Sequence, residues 1–321
     1  MGWGRSQVEL VGKAGEDSYE RWGATTVTNG RLAIEFDADD ANPGAQVLEM
    51  ASLTRARGTI MSFHSSDLRQ GALATNGAGS VTINLLDGGA SLAQVGGTGA
   101  GTTDVKVAVG VFGGDGVDSG VDKGTQTPSR ADEFMTVDGG RLRTLRAEEM
   151  VHLGAGSTGA LQISQASAGV ADNVNISFGS RFIAFGQGDY TNGLNERIDK
   201  VVTDDATFNA IRLGVVRGPA AGSDTPNDLG RSLLINDGVR LTSESGMLLM
   251  GRDTTSADGD ATPGGNVLIY NGILDLDGTG DDREAIIQND SGNSLFIRAR
   301  LEAGRSEERR VGKGWRSRWE P

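Results

Sequence analysis

Residues 233–251 read LLINDGVRLTSESGMLLMG, residues 266–278 read NVLIYNGILDLDG, and residues 284–301 read EAIIQNDSGNSLFIRARL. Short apolar runs alternate with turns of Asn, Asp and Gly. Leu233-Leu234-Ile235 stops at Asn236-Asp237-Gly238, and Met247 to Met250 stops at Gly251. Val267 to Tyr270 stops at Asn271-Gly272, and Ile273 to Leu276 follows at once. Runs of about four to eight residues have the length of strands and are too short for buried helices. One such strand cannot bury its apolar face, so neighbours must stack into a continuous core. The stretch predicts an all-β chain, a β-solenoid of the single-stranded parallel β-helix type.

Composition agrees. Gly is 50 of 321 residues against 6 Pro, which excludes collagen and Pro-rich linkers and suits many tight turns needing positive φ. Aromatics are only 5%, so the core must be Val, Ile, Leu and Ala. Cysteine is absent, which removes disulfides, thiolate metal sites and cysteine nucleophiles. A ladder of strands supplies stability without disulfides, so this does not argue for the cytosol. The net charge of −13 disfavours nucleic acid, whose phosphates need a basic face. No apolar run is long enough to span a membrane, and Met1 to Leu10 has no signal-peptide core. The chain therefore reads as cytosolic or as an interior piece of a longer protein.

The last residues favour the second reading. Residues 305–321, RSEERRVGKGWRSRWEP, abandon the strand pattern and carry six Lys or Arg and three Glu. The remainder is then near −16 (−13 less +3). Arg305 to Lys313 and Arg316 to Trp319 resemble the translation of a common sequencing-adapter oligonucleotide, departing at Gly314-Trp315 and Glu320. The expected organisation is an unassigned segment over 1–24, a coil over 25–304, and a non-native or disordered basic tail over 305–321.

Along the chain, strands are predicted at 25–28 and 32–36 around Asn29-Gly30, at 47–50, 58–63, 81–86 and 106–112, and over 134–142 around Gly139-Gly140. Further strands are expected at 161–163, 174–178, 182–185 and 207–216. Gly113 to Arg130 reads as a polar loop projecting from the stack. Leu145 to Leu153 (LRAEEMVHL) is the best helix candidate. Turns recur every ten to fifteen residues or so, suggesting roughly 12 to 15 stacked rungs spanning roughly 60 to 70 Å.

The runs Ala206 to Leu213 and Leu233 to Met250 resemble the autotransporter-associated β-strand repeat region of large bacterial surface proteins. Val267 to Tyr270 and Leu295 to Ile297 resemble its later strands, and Phe134 to Gly140 resembles another of its segments. This chain is richer in Arg and Asp than that pattern and lacks the membrane barrel that follows it there. The resemblance covers roughly residues 25 to 304. It implies a secreted or surface-displayed passenger β-helix with adhesive or structural roles, and it brings no catalytic residues and no cofactor.

Few residues suggest chemistry. His64 and His152 lie far apart in sequence and read as a solvated turn histidine and a surface histidine rather than general bases. Asp275-Leu276-Asp277-Gly278-Thr279-Gly280-Asp281-Asp282 offers carboxylates around glycine. An EF-hand loop would need Glu at its twelfth position, which is Ile286 here, and no tandem Ca²⁺-binding nonapeptide is present. An acidic turn is the simpler reading, as it is for Asp37 to Asp40 and Asp115 to Asp118. Thr203 to Phe208 invites comparison with the opening segment of pectin-degrading β-helix enzymes and phage tailspikes. It lacks their Gly-Asp-Gly lead and precedes Ile211-Arg212-Leu213, so it reads as a rung. Gly96 to Gly101 lacks the Gly-Lys-Ser/Thr of a phosphate loop.

The expected function is a non-catalytic structural or adhesive surface module. Its expected partners are surface glycans or cell-surface proteins, with no nucleic acid and no membrane insertion of this segment, and with self-association through uncapped ends. The alternative is a carbohydrate-active β-helix enzyme, a polysaccharide lyase or glycoside hydrolase, using a carboxylate pair. An enzyme should gather acids and bases on one face, whereas a passenger should scatter them over turns.

Overall fold

The computed structural model describes residues 5–13, 15–37, 44–65, 80–114, 133–154, 161–178, 197–215, 231–252, 267–277, 284–289 and 295–303. Their regular structure is β-strand, with two short 3-10 turns at Ala147–Glu149 and Gln165–Ser167 and no α-helix. The protein is all-β. The expected strand at 182–185, most of the Gly113–Arg130 loop and the tail 305–321 lie outside the described residues. The chain separates into two compact units, Met1–Glu149 and Met150–Pro321.

In the first unit, β1 (Arg5–Val11), β3 (Arg31–Asp37), β5 (Ile60–His64) and β9 (Val111–Gly114) form one parallel ladder. The strands β2 (Ser18–Val27), β4 (Gln46–Arg55) and β6 (Val81–Leu85) form a second. The chain crosses from one ladder to the other with each strand. Alternation decides the faces: Leu48, Met50, Ile83 and Leu85 turn inward, while Val47, Glu49, Thr82 and Asn84 turn outward. Ile34, Met61 and Phe63 meet them from the first ladder in one core. The short strands β7 (Gln94–Val95) and β8 (Val107–Ala108) make a separate antiparallel ribbon.

A hairpin then joins the ladders. Strand β10 (Glu133–Asp138) lies antiparallel on β9, and β11 (Arg141–Thr144) lies antiparallel on β6. Its turn, Gly139-Gly140, has φ of 57° and 85°, which glycine adopts without a side-chain clash. The result is one curled sheet of nine strands in the order β1-β3-β5-β9-β10-β11-β6-β4-β2. Residues 1–24, left unassigned by the sequence, supply β1 and most of β2.

Two expectations are corrected here. The strand predicted over 106–112 is broken at Gly110, whose φ is 68°. The Arg55 guanidinium lies 2.6 Å from where a Cβ would stand, so β8 and β9 run in different sheets. The helix predicted over 145–153 is a single 3-10 turn. The Glu149 carboxylate folds back onto the Arg146 N–H at 2.8 Å and closes that turn, and the chain leaves as β12 (Val151–Leu153).

The second unit holds three parallel sheets. Sheet I is β12, β14 (Asn173–Phe178), β17 (Ala210–Val215), β20 (Met247–Arg252) and β23 (Ile286–Asn289). Sheet II is β13 (Leu161–Ile163), β15 (Arg197–Val202), β18 (Arg231–Ile235), β21 (Val267–Tyr270) and β24 (Leu295–Ile297). Sheet III is β16 (Ala206–Phe208), β19 (Arg240–Ser243), β22 (Ile273–Asp275) and β25 (Arg300–Glu302). The chain visits I, II and III in that order on each pass. Register stacks like on like: Val174, Ile211, Leu248 and Ile287 in sheet I, and Ala206, Leu241, Leu274 and Leu301 in sheet III. Lys200 breaks the aliphatic stack of sheet II, buried between Leu161 and Leu233 in register.

On the first pass the place of a sheet III strand is taken by the 3-10 turn Gln165–Ser167. The Gln165 side-chain amide donates to the Thr207 carbonyl at 3.1 Å and accepts from the Thr207 N–H at 2.8 Å. One amide thus reproduces both bonds of a missing strand at the edge of β16, where an unpaired buried N–H is costly.

The rung count is corrected too. Val174, Ile211 and Leu248 succeed one another at 37 residues (174 to 211, 211 to 248). Three strands make one pass, so the ten-to-fifteen-residue spacing of turns measures strands, not passes. Five levels of sheet I at about 4.8 Å span about 19 Å.

Candidate functional site

The outward face of sheet III gathers more unlike charge than any sequence motif indicated. Strand alternation puts Leu241 and Leu274 inward, so Arg240 and Thr242 point out. Parallel register then aligns Thr207, Thr242, Asp275 and Glu302 in one row, with Arg240, Ile273 and Arg300 beside it. Arg240 Nη1 donates to Asp275 Oδ2 at 2.7 Å and to Glu302 Oε2 at 2.5 Å. Arg300 Nη2 lies 2.9 Å from Glu302 Oε1. The other Asp275 oxygen accepts from the Asp277 N–H at 3.0 Å, closing an Asx turn. Asp205, at the previous corner, accepts from the Arg240 N–H at 2.8 Å.

The two carboxylates share one guanidinium nitrogen, so their bonded oxygens lie no more than about 5 Å apart, near the separation of a retaining glycosidase pair. The surroundings of Glu302 do not suit a general acid. A general acid must keep its proton near neutrality, which calls for a raised pKa. The Arg240 hydrogen bond, and then the charges of Arg240 and Arg300, hold the Glu302 carboxyl below the usual range. Arg240 in turn is pushed up, chiefly by its bonds to Glu302 and Asp275. Two carboxylates in one row and two arginines in the row beside it make a polar surface with both donors and acceptors.

Of the acidic turn Asp275–Asp282, Asp275 and Asp277 are placed as above; residues 278–282 lie outside the described residues. So do Asp39, Asp40 and Asp115 to Asp118. Among the described residues no cluster of three or more His, Asp or Glu is placed to hold a metal ion. Thr203 to Phe208 forms a corner and β16, the rung expected of it. No described helix is long and apolar enough to cross a membrane.

Both histidines differ from expectation. His64 is not solvated: it ends β5, fully buried, with Nε2 2.9 Å from Ser62 Oγ. His152 sits in β12, half-buried, its Nδ1 3.2 Å from Asn175 Nδ2, while Arg212 Nη1 donates to Asn175 Oδ1 at 2.9 Å. Register stacks these three side chains on consecutive strands of sheet I.

The strongest ionic site went unnoticed in the sequence. Glu149, fully buried, accepts from Arg143 Nη1 and Nη2, each at 2.7 Å, and from the N–H groups of Gly101 at 2.7 Å and Arg146 at 2.8 Å. Asp138 flanks Arg143 at 3.1 Å. Burial pushes the Glu149 carboxyl up, but the Arg143 bonds and the two backbone donors outweigh it and hold it low. Every acceptor position is filled, so the group ties the hairpin to the loop at Gly101 and has no capacity left for a ligand. The Arg-x-x-Arg-x-x-Glu spacing of residues 143–149 is its trace in the sequence, and Arg146 and Glu149 fall within the helix expected over 145–153.

No family model, no curated protein and no solved structure matches the chain.

Proposed function

We propose that the chain is a non-catalytic structural or adhesive module, a piece of an exported bacterial surface protein of the autotransporter passenger kind. In this reading the second unit is a single-stranded parallel β-helix. The observation that carries it is the repeated order I, II, III, with aliphatic side chains in register across successive passes. Repetition of one coil builds a stiff face of evenly spaced side chains, which suits display and contact along a length. The resemblance of residues 206–213 and 233–250 to passenger repeats points the same way. The ligand-facing surface is the outward row of sheet III, where Thr207, Thr242, Arg240 and Asp275 offer donors and acceptors about 4.8 Å apart to surface glycans or a cell-surface protein.

The carboxylate spacing of Asp275 and Glu302 favours a second reading, a carbohydrate-active enzyme. Glycan-array binding alongside a depolymerisation screen on neutral and acidic polysaccharides separates the two. Binding without turnover, weakened by Arg240→Ala, supports the module. Chain cleavage abolished by Glu302→Gln would replace it with the enzyme.

A further inference from the structure

We propose that Asn271 is a self-modification site: the Gly272 amide nitrogen attacks the Asn271 side-chain carbonyl, and the isoaspartate that results unseats the corner between β21 and β22. The case stands on the geometry of that corner, independent of the surface role above.

The corner dictates the reactive pair. Asn271, with φ of 61°, is the only described residue other than glycine in the left-handed region. Asn tolerates that conformation better than most side chains do. Gly272 follows with φ of 45°. A Cβ on it would stand 2.4 Å from Ile235 Cγ2 and 2.7 Å from the Asn236 carbonyl oxygen. Stacking on the previous corner therefore demands glycine at 272, and glycine leaves the 271–272 peptide unshielded.

Both reacting groups are available. Asn271 is exposed, and its carboxamide has no hydrogen-bond partner. The Gly272 N–H donates to nothing. Its neighbours are fixed: the Gly272 carbonyl accepts the Arg300 N–H at 3.0 Å, and the Ile273 N–H donates to the Val239 carbonyl at 2.9 Å. The nitrogen beside these two anchors can lose its proton without breaking a bond. Asn29-Gly30 is the other described Asn-Gly pair, and there the glycine is buried, away from solvent hydroxide.

The chemistry needs only water. Hydroxide removes the Gly272 amide proton, the nitrogen bonds to Asn271 Cγ, and the Cγ–Nδ2 bond breaks with loss of ammonia. Water then opens the succinimide. Addition at Cγ breaks the new bond and gives aspartate. Addition at the Asn271 main-chain carbonyl breaks the original peptide link and gives isoaspartate, with the backbone rerouted through Cβ. No electrons are exchanged. The rerouted chain is one methylene longer between β21 and β22, so Gly272 shifts from its close seat on Ile235 and Asn236. The Arg300 and Ile273 bonds then stretch, and β22, which carries Asp275, loosens against β19.

The test is incubation of the full chain in mildly alkaline heavy-oxygen water, followed by site-resolved peptide mapping in a mass spectrometer. Expected is conversion at Asn271 at least about tenfold faster than at Asn29, with heavy oxygen incorporated and isoaspartate among the products. Hydrogen exchange should quicken at the Ile273 and Arg300 amides as isoaspartate accumulates. Asn271→Gly keeps a residue suited to positive φ and removes the carboxamide, so its exchange at those amides should not change on the same incubation. Conversion at Asn29 as fast as at Asn271, an Asn271 that stays intact in the folded chain while converting in the unfolded one, exchange unaltered in isoaspartate-bearing chain, or equal ageing of Asn271→Gly would each overturn the proposal.

Discussion

In Gly246→Ala a methyl group would have to stand 2.1 Å from the Glu284 carbonyl oxygen. Gly246 forms the corner between β19 and β20 with φ of 70°. Its carbonyl accepts the Ile286 N–H at 2.9 Å, the bond that seats β23 on the pass below. An L-residue in the left-handed region costs about 1–2 kcal/mol. Contact at that distance is met by backbone, which cannot swing aside, so the Glu284 peptide must move and the Ile286 bond stretches. Losing that bond adds about 1 kcal/mol. The expected loss is about 3 kcal/mol, a fall in melting temperature of roughly 6 to 12 °C for a unit of this size. Gly238→Ala is the matched comparison. Its φ is 75°, but nothing lies within 4 Å of the added Cβ. It should lose only the conformational part, about 1–2 kcal/mol. Thermal unfolding followed by circular dichroism reads both. Equal shifts in the two variants would refute the reasoning, because the close stacking of one corner on the next would then contribute nothing.

Four other outcomes follow from interactions described above. Glu149→Ala should destabilise the first unit by about 3–5 kcal/mol, since it strands Arg143 in the interior; proteolysis or melting of that unit reads it. Because the Glu149 carboxyl is held low when folded, its stabilisation is present above the unfolded value near pH 4.3 and is lost as pH falls through the lower folded value, so Glu149→Gln should flatten the acid limb of the stability curve. Gln165→Leu should cost about 1–3 kcal/mol by leaving both Thr207 backbone groups without the amide, and hydrogen exchange should quicken at the Thr207 N–H. Arg240→Ala should cost about 1 kcal/mol or less in low salt, with the difference shrinking at high ionic strength, as melting curves in increasing sodium chloride would show.

The strand runs were plain in the sequence because alternation and turn chemistry are local. Leu233 to Ile235, Met247 to Met250 and Val267 to Tyr270 fall where their patterns put them. What the sequence hid was long-range register. Three strands share one pass, yet turns such as Asn236-Asp237-Gly238 and Asn271-Gly272 look alike whether they reverse a chain or lead it to the next sheet. Levels were overcounted for that reason. The 145–153 error has a similar origin: Leu145, Glu149 and His152 have helical spacing, and only the Arg143 guanidinium, brought in by the hairpin, decides that Glu149 turns inward. Asp275 was visible as an acid in a turn. Its partners Arg240 and Glu302 are 35 and 27 residues away, one pass in each direction, and no local pattern links them (275 less 240; 302 less 275).

The hairpin β10–β11 has a mechanical meaning. It makes one continuous hydrogen-bonded web of two ladders that otherwise meet, among the described residues, through an apolar interior, the covalent crossings and side-chain bonds such as Gln46 Nε2 to the Leu10 carbonyl at 3.1 Å. Load applied to β9 passes through β10 and β11 into β6 without crossing the apolar layer, so the two walls of the first unit cannot shear past each other at that end. The three sheets of the second unit have no such strap among the described strands. Tension there is borne by each ladder separately, and the passes can peel away one at a time.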